Sequence, residues 1–215
     1  QSFDVREISG NIAMPGFTAP KINWIKNNEL ESFNKIFKIL LPKDYLRYYL
    51  TGELYSEMSD ASGTLWLDIK KRKWSEKLLS CSFLDEQNMP KLVEGNDPTG
   101  ILKKTLKNKF NFQNDVIVVG GAGDNAAGAV GIGAIQSGSA FLSLGTSGVY
   151  FVVTPSFLPA PERGAHAFCH CLPRTWHQMG VILSAASCLS WLSRLVGCKE
   201  ADLLVALDRD PVPSG

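Results

Sequence analysis

The sequence predicts a mixed α/β protein with a domain boundary near residue 135, and three observations predict it. The first half carries apolar residues at helical spacing, interrupted by prolines and glycines. The β-branched run Val116-Ile-Val-Val119 reads as a buried strand, and a glycine-rich turn, Gly120-Gly-Ala-Gly-Asp124, follows it. Beyond Gln136-Ser-Gly138 the pattern changes to strands. The expected division is therefore 1–135 and 136–215.

The elements follow in order. Met14-Pro-Gly-Phe-Thr18 is a loop whose Thr18 can cap a helix with Pro20 in its first turn, continuing through Trp24. Phe33, Ile36, Phe37 and Leu40 have helical spacing, so a second helix is expected there until Pro42 interrupts it. Asp44 then starts an amphipathic helix over Tyr45 to Leu50, closed by Gly52. Ser59 or Asp60 is positioned to cap a short helix before Trp66 and Leu67. Asn125 to Gly133 is a small-residue segment, either a closely packed helix or a connector. Ala140 to Leu144 and Val149 to Val153 form a hairpin joined by Gly145-Thr-Ser-Gly148. Further strands run through Ala167-Phe168 and Trp176 to Met179, and Ser187 to Leu195 is helical.

Composition narrows the function. The chain has 215 residues, 45% of them hydrophobic, with 22 Lys plus Arg against 21 Asp plus Glu. So balanced a charge gives no support for nucleic acid or a membrane surface as partner. The lysines between Lys103 and Lys109 read as the wet face of a helix. Five cysteines without a repeated spacing argue against a secreted disulfide framework, and no apolar stretch reaches the roughly 18 residues of a membrane span. The expectation is a cytoplasmic protein. Gln1 at the start and the turn-rich Asp210-Pro-Val-Pro-Ser-Gly215 at the end suggest an internal piece of a longer chain.

Asp124 is the most informative candidate. It lies where a strand ends and a small-residue segment begins, and glycines at 120, 121 and 123 let a ligand approach the backbone. A carboxylate there can take the proton of a hydroxyl nucleophile, with Asn125 holding a second hydroxyl. It can equally serve as the cap of the following helix. Gly145, Thr146 and Ser147 offer backbone amides and two hydroxyls, which suits terminal phosphates, although an ordinary hairpin turn has the same composition.

Other patterns carry less. The glycines at 121, 123 and 128 do not make the dinucleotide fingerprint, so an oxidoreductase is disfavoured. His166, Cys169, His170, Cys171 and His177 match no common zinc spacing and read as buried thiols and strand histidines, with no metal. The five tryptophans read as core, with Trp191 the one to consider near a nucleotide.

Several segments together resemble the FGGY carbohydrate kinases, and within them the xylulokinase branch. They are Met14-Pro-Gly-Phe-Thr-Ala-Pro-Lys21, Leu41-Pro-Lys-Asp-Tyr-Leu-Arg47, Leu50-Thr-Gly-Glu53 and Met58-Ser-Asp-Ala-Ser-Gly-Thr64. Gly123-Asp-Asn-Ala-Ala-Gly-Ala-Val-Gly131, Ser143-Leu-Gly-Thr-Ser-Gly-Val-Tyr-Phe151, Ala167-Phe-Cys-His170 and Leu183-Ser-Ala-Ala-Ser187 continue the series in the same order. The resemblance implies the ribonuclease H-like, actin-like ATPase architecture, with sugar and ATP in the cleft between two α/β domains. It implies Asp124 as the base at a ketose's primary hydroxyl, Asn125 on the sugar, and Gly145, Thr146 and Ser147 at the phosphates of ATP with Mg2+. Residues 1–135 would close the sugar-binding domain and 136–215 would open the nucleotide-binding one. The family's N-terminal phosphate loop, its sugar-binding histidine and its C-terminal adenine segment have no counterpart here. The chain alone is therefore expected to be inactive, and relatives suggest a homodimer. The alternatives are a non-catalytic sugar- or nucleotide-binding protein on the same fold, or a related kinase for another ketose or polyol.

Overall fold

The computed structural model describes residues 3–209. The chain opens with α1 (Phe3–Ser9) and α2 (Thr18–Asn28). Thr18 is the first helical residue of α2, while Phe17 occupies the cap position without a side-chain bond.

The helix expected over Phe33 to Leu40 does not form. Only α3 (Leu30–Phe33) is helical, and residues 35–41 run without regular structure. They are tied instead to a distant loop, with the Ile39 amide donating to Asn88 O and Lys38 Nζ to Gln87 O and Met89 O. Phe37 is 76% exposed, so its place in the apolar pattern reports no buried face. Leu41 is extended, as the residue before a proline must be. Pro42 then opens α4 (Pro42–Thr51) rather than merely ending a helix, since its missing N–H costs nothing at the first position. Gly52, at φ 90°, closes α4 in the left-handed conformation.

Next come β1 (Tyr55–Glu57), α5 (Met58–Ser62), β2 (Leu67–Asp68), β3 (Lys73–Trp74), α6 (Glu76–Ser80) and β4 (Lys91–Val93). The cap of α5 is Glu57, whose carboxylate accepts from the Ser59 and Asp60 amides, so neither of the two expected residues caps it. β1 and β4 pair in parallel. Trp66, Leu67, Ile69, Leu78 and Leu79 form the centre of the main core, with α2 and α5 laid on it.

β5 (Pro98–Ile101) and β6 (Ile117–Val119), separated by α7 (Lys104–Lys109), make an antiparallel ribbon. β6 exists as expected but is not buried, since Ile117 and Val119 are exposed. A short apolar run reveals a strand's identity but not how many neighbours cover it. α8 (Asp124–Gly131) follows directly.

The second half is built on an antiparallel sheet of four strands, ordered β7 (Ala140–Leu144), β8 (Gly148–Thr154), β10 (Trp176–Ile182), β9 (Ala165–Cys169). It ends in α9 (Ala186–Val196) and α10 (Glu200–Arg209). α8 packs on this sheet through Ala129 against Phe151, Val153 and Met179. β9 also enters the main core, where Cys169 is fully buried and its amide donates to Ser62 Oγ at 3.0 Å. The two halves thus share packing at α5, α8 and β9. Of the tryptophans, Trp66 and Trp74 are core residues, whereas Trp24 and Trp191 are exposed.

Candidate active site

The site is built around the loop Gly120–Gly123 and the start of α8. Gly120 is required for close approach of two backbones, because a Cβ there would lie 2.3 Å from Glu94 O. Gly121, at φ 79°, donates its amide to Gly95 O at 2.8 Å. These contacts fix the loop on one side.

A buried charge network fixes it on the other. The Arg47 guanidinium, 3% exposed, donates to Gly120 O, to Tyr55 O and to Asp44 Oδ1 at 2.9 Å. Lys43 Nζ also reaches Gly120 O at 3.3 Å and pairs with Asp44 at 3.3 Å and Glu57 at 3.5 Å. From Glu57 a second line runs forward. Its carboxylate accepts the Ser59 hydroxyl at 2.8 Å, and Ser59 Oγ in turn accepts the Gly123 amide at 2.9 Å. Gly123 is the cap residue of α8, so both ends of the glycine loop are anchored to α4 and α5.

Asp124 is the first residue of α8 and is exposed. Its Oδ1 accepts from the Asn125 amide at 2.7 Å and from Asn125 Nδ2 at 3.2 Å, while Oδ2 has no partner among the described residues. Asn125 thus holds one oxygen and the other is open, while the cap position of α8 belongs to Gly123, so Asp124 does not cap the helix as the alternative reading expected.

Asp124 and Asn125 border a cavity of about 80 Å³ that is also lined by Asp60, Phe168, His177 and Met179. It lies where α5, the start of α8 and the sheet strands β9 and β10 meet. Burial pushes the Asp60 carboxyl up to about 6; Lys43 opposes this, and the negative charges of Glu57, Asp44 and Asp124 add to it. Burial likewise pushes His177 down to about 3 and His170 to about 4, so both rings are neutral near pH 7. In the sequence Asp60 reads as a helix cap within a segment that resembles the family, and His177 as a strand histidine of a metal-like cluster. Nothing in the local sequence marks Lys43, Arg47 or Glu57 as site residues. The signal available for Asp60 was a carboxylate set among small residues in Met58-Ser-Asp-Ala-Ser62. Among the described residues no group of three or more His, Cys, Asp or Glu is arranged to hold a metal.

The turn Gly145–Ser147 lies elsewhere on the same sheet. Gly148 pairs with Ile182, and Phe151 with Met179, which puts the turn about 10 Å along the strands from the cavity. Its carbonyls hold the start of α9: the Ala185 amide donates to Thr146 O at 2.7 Å and the Ala186 amide to Gly145 O at 3.0 Å. The Gly145 amide is used within the turn, by Ser147 O at 2.9 Å. The amides and hydroxyls of Thr146 and Ser147 remain without partners among the described residues.

A model of the FGGY family of carbohydrate kinases, N-terminal domain, matches residues 1–131. The chain belongs to the FGGY family of carbohydrate kinases. Xylulose kinases of Klebsiella pneumoniae and Escherichia coli strain K12 are each 52% identical to it over 201 residues, which is 94% of this chain and 41% of theirs. The chain thus spans about two fifths of the length of these relatives. Among solved structures, a xyloylose kinase from Brucella ovis superposes with a TM-score of 0.90 at 53% identity, covering 98% of this chain and 43% of that one. A Plasmodium falciparum glycerol kinase with ADP matches with a TM-score of 0.79 at 22% identity over 89% of this chain and 39% of its own, which bears on fold alone. The FGGY chain is thus a portion of the ribonuclease H-like, actin-like α/β architecture.

FGGY kinases use ATP, and the residues of the turn fit its phosphates. A Cβ on Gly145 would meet only Ser147 O, at 3.8 Å. Its φ is not in the left-handed region, so neither crowding nor conformation within the chain calls for glycine there. The open space above it, flanked by unpaired amides and hydroxyls, suits an anionic oxygen.

Proposed function

We propose that this chain is the central part of an ATP-dependent ketopentose kinase that converts D-xylulose to D-xylulose 5-phosphate, with Asp124 as general base. The observation that carries the reading is the open Oδ2 of an exposed Asp124, held at a helix N-terminus by a loop anchored at both ends. The 52% identity to xylulose kinases supports the choice of sugar. Residues 1–135 are read as the later part of the sugar-binding domain and 136–215 as the first part of the nucleotide-binding domain, in a cytoplasmic enzyme.

Asp124 takes the proton of the ketose's primary hydroxyl as that oxygen bonds the terminal phosphorus of ATP and the bond from that phosphorus to the departing ADP breaks, and Asn125 holds a neighbouring hydroxyl. Gly145, Thr146 and Ser147 receive the terminal phosphates, Thr146 and Ser147 through their free amides and hydroxyls and Gly145 through the open space its missing side chain leaves. ATP with Mg2+ supplies the phosphoryl group and neutralises its charge when bound. Little covalent work is left for the protein, so positioning of one carboxylate is the main demand.

The test is ATP-dependent phosphorylation of a panel of ketopentoses and polyols by the whole protein that contains this chain. Preferred turnover of D-xylulose is expected. Turnover of another ketose or polyol in preference corrects the substrate, and binding of sugar or nucleotide without any turnover replaces the kinase by the non-catalytic alternative.

A further inference from the structure

The cavity beside Asp124 holds two groups that the proposed reaction does not yet use. Asp60 projects from α5 with its side chain 32% exposed, and among the described residues its carboxylate pairs only with Lys43 Nζ, at 3.8 Å. That is too long for a good hydrogen bond, so the carboxyl oxygens retain their capacity for one. His177, on β10, is 2% exposed, and both of its ring nitrogens lack a hydrogen-bond partner among the described residues. Its ring is fixed in place, stacked on Phe151 at 4.3 Å between centroids and set edge-on to Phe168 at 5.7 Å. A buried imidazole with neither nitrogen satisfied costs stability, and the ring borders the same cavity as Asp60 and Asp124.

That space is the cavity of about 80 Å³ bounded by Asp60, Asp124, Asn125 and His177. It is large enough for a few atoms with hydroxyl groups, given that one water needs about 10–15 Å³ of the same measure. The donor and acceptor set is matched to alcohols. A carboxylate accepts from a hydroxyl, and a neutral imidazole offers one donor and one acceptor.

We propose that Asp60 and His177 form a second sugar-hydroxyl subsite beside Asp124, which selects the acceptor by holding a secondary hydroxyl of the ketose. This rests on the kinase reading above and deepens it. Asp124 and Asn125 address the reacting end of the sugar, while Asp60 and His177 hold the carbon chain behind it. The subsite spans α5 and β10, so it also makes sugar binding depend on how the two halves of the chain meet. A site built to bond a hydroxyl discriminates strongly against an analogue lacking it, because its own buried polar groups are then left unpaired.

The experiment uses the whole protein, with D-xylulose and its 3-deoxy and 4-deoxy analogues as acceptors. For the wild type, loss of one of these hydroxyls is expected to lower kcat/KM by 100-fold or more. For Asp60→Asn and His177→Phe, KM for D-xylulose is expected to rise at least tenfold with kcat within threefold. The same deoxy analogue should then lose most of its disadvantage. Wild-type kcat/KM unchanged across both deoxy analogues overturns the subsite without recourse to any variant. So does a folded Asp60→Asn protein with unaltered KM and undiminished discrimination. Absence of phosphorylation of any sugar by the wild type overturns the kinase reading itself, and the subsite with it.

Discussion

Arg47 shows how much of this site is decided by single residues. Its guanidinium is buried among Asp44, Tyr55 O and Gly120 O, and Asp44 is fully buried beside it. Removing the cation leaves a buried carboxylate with a diminished partner set, which costs about 3–5 kcal/mol. Arg47→Met should therefore lower the stability of the protein by that order in chemical unfolding, far beyond what loss of an exposed pair would do. Ser59 is the gentler probe. Ser59→Ala removes the acceptor for the Gly123 amide, and loss of such a buried bond costs about 1–3 kcal/mol. Its kinetic effect should fall on kcat, since the bond positions the residue before Asp124. Of these residues the sequence made Asp124 legible, because glycines at 120, 121 and 123 surround a carboxylate at a strand-to-helix junction. It concealed the Glu57–Ser59–Gly123 line, since a hydrogen bond across 64 residues leaves no local trace.

At the scale of elements, the glycine loop is the constraint that least tolerates change. Gly120→Ala would drive a methyl into Glu94 O, a backbone atom that cannot turn aside. A loss of about 1–3 kcal/mol, the usual cost of overpacking, is expected in thermal or urea unfolding. Elements marked by local chemistry were readable in advance: α4 by its periodicity and Gly52, the β7–β8 hairpin by Gly145 and Gly148, and α9 by its leucines. The segment after α3 was not, because the apolar side chains at 33, 36, 37 and 40 do not share one buried helical face. Lys38 and Ile39 bond instead to a loop about fifty residues away. Likewise the β-branched run of β6 declared a strand but not its exposed two-stranded setting. Pairing partners are a tertiary property, and they override propensity.

For the whole molecule, His170 and His177 join the sheet to the region of α8 as neutral, buried rings. Folding lowers both pKa values from near 6.5, to about 4 and about 3, so the unfolded chain binds more protons throughout that window. Their contribution to stability is complete above about pH 6.5 and is lost as pH falls toward 4 and 3. His177→Phe should flatten this fall relative to the wild type in melting temperatures recorded between pH 7 and 4. The chain covers about two fifths of the length of its xylulose kinase relatives, and on the proposed reading the phosphoryl-transfer cleft also draws on the rest of the protein. Expressed alone, it should show no sugar phosphorylation in a coupled ADP-release assay, whereas the whole protein should be active.

The most direct test of the account is the rate of D-xylulose phosphorylation by the whole protein with Asp124→Asn, alongside the affinity of that variant for the sugar. An amide of the same shape keeps a hydrogen-bonding group at the start of α8 but cannot take a proton. The account predicts a fall in kcat of roughly 10²–10⁴-fold, with sugar affinity changed little. A variant that retains the wild-type kcat would contradict it and leave Asp124 as a helix-terminal residue alone.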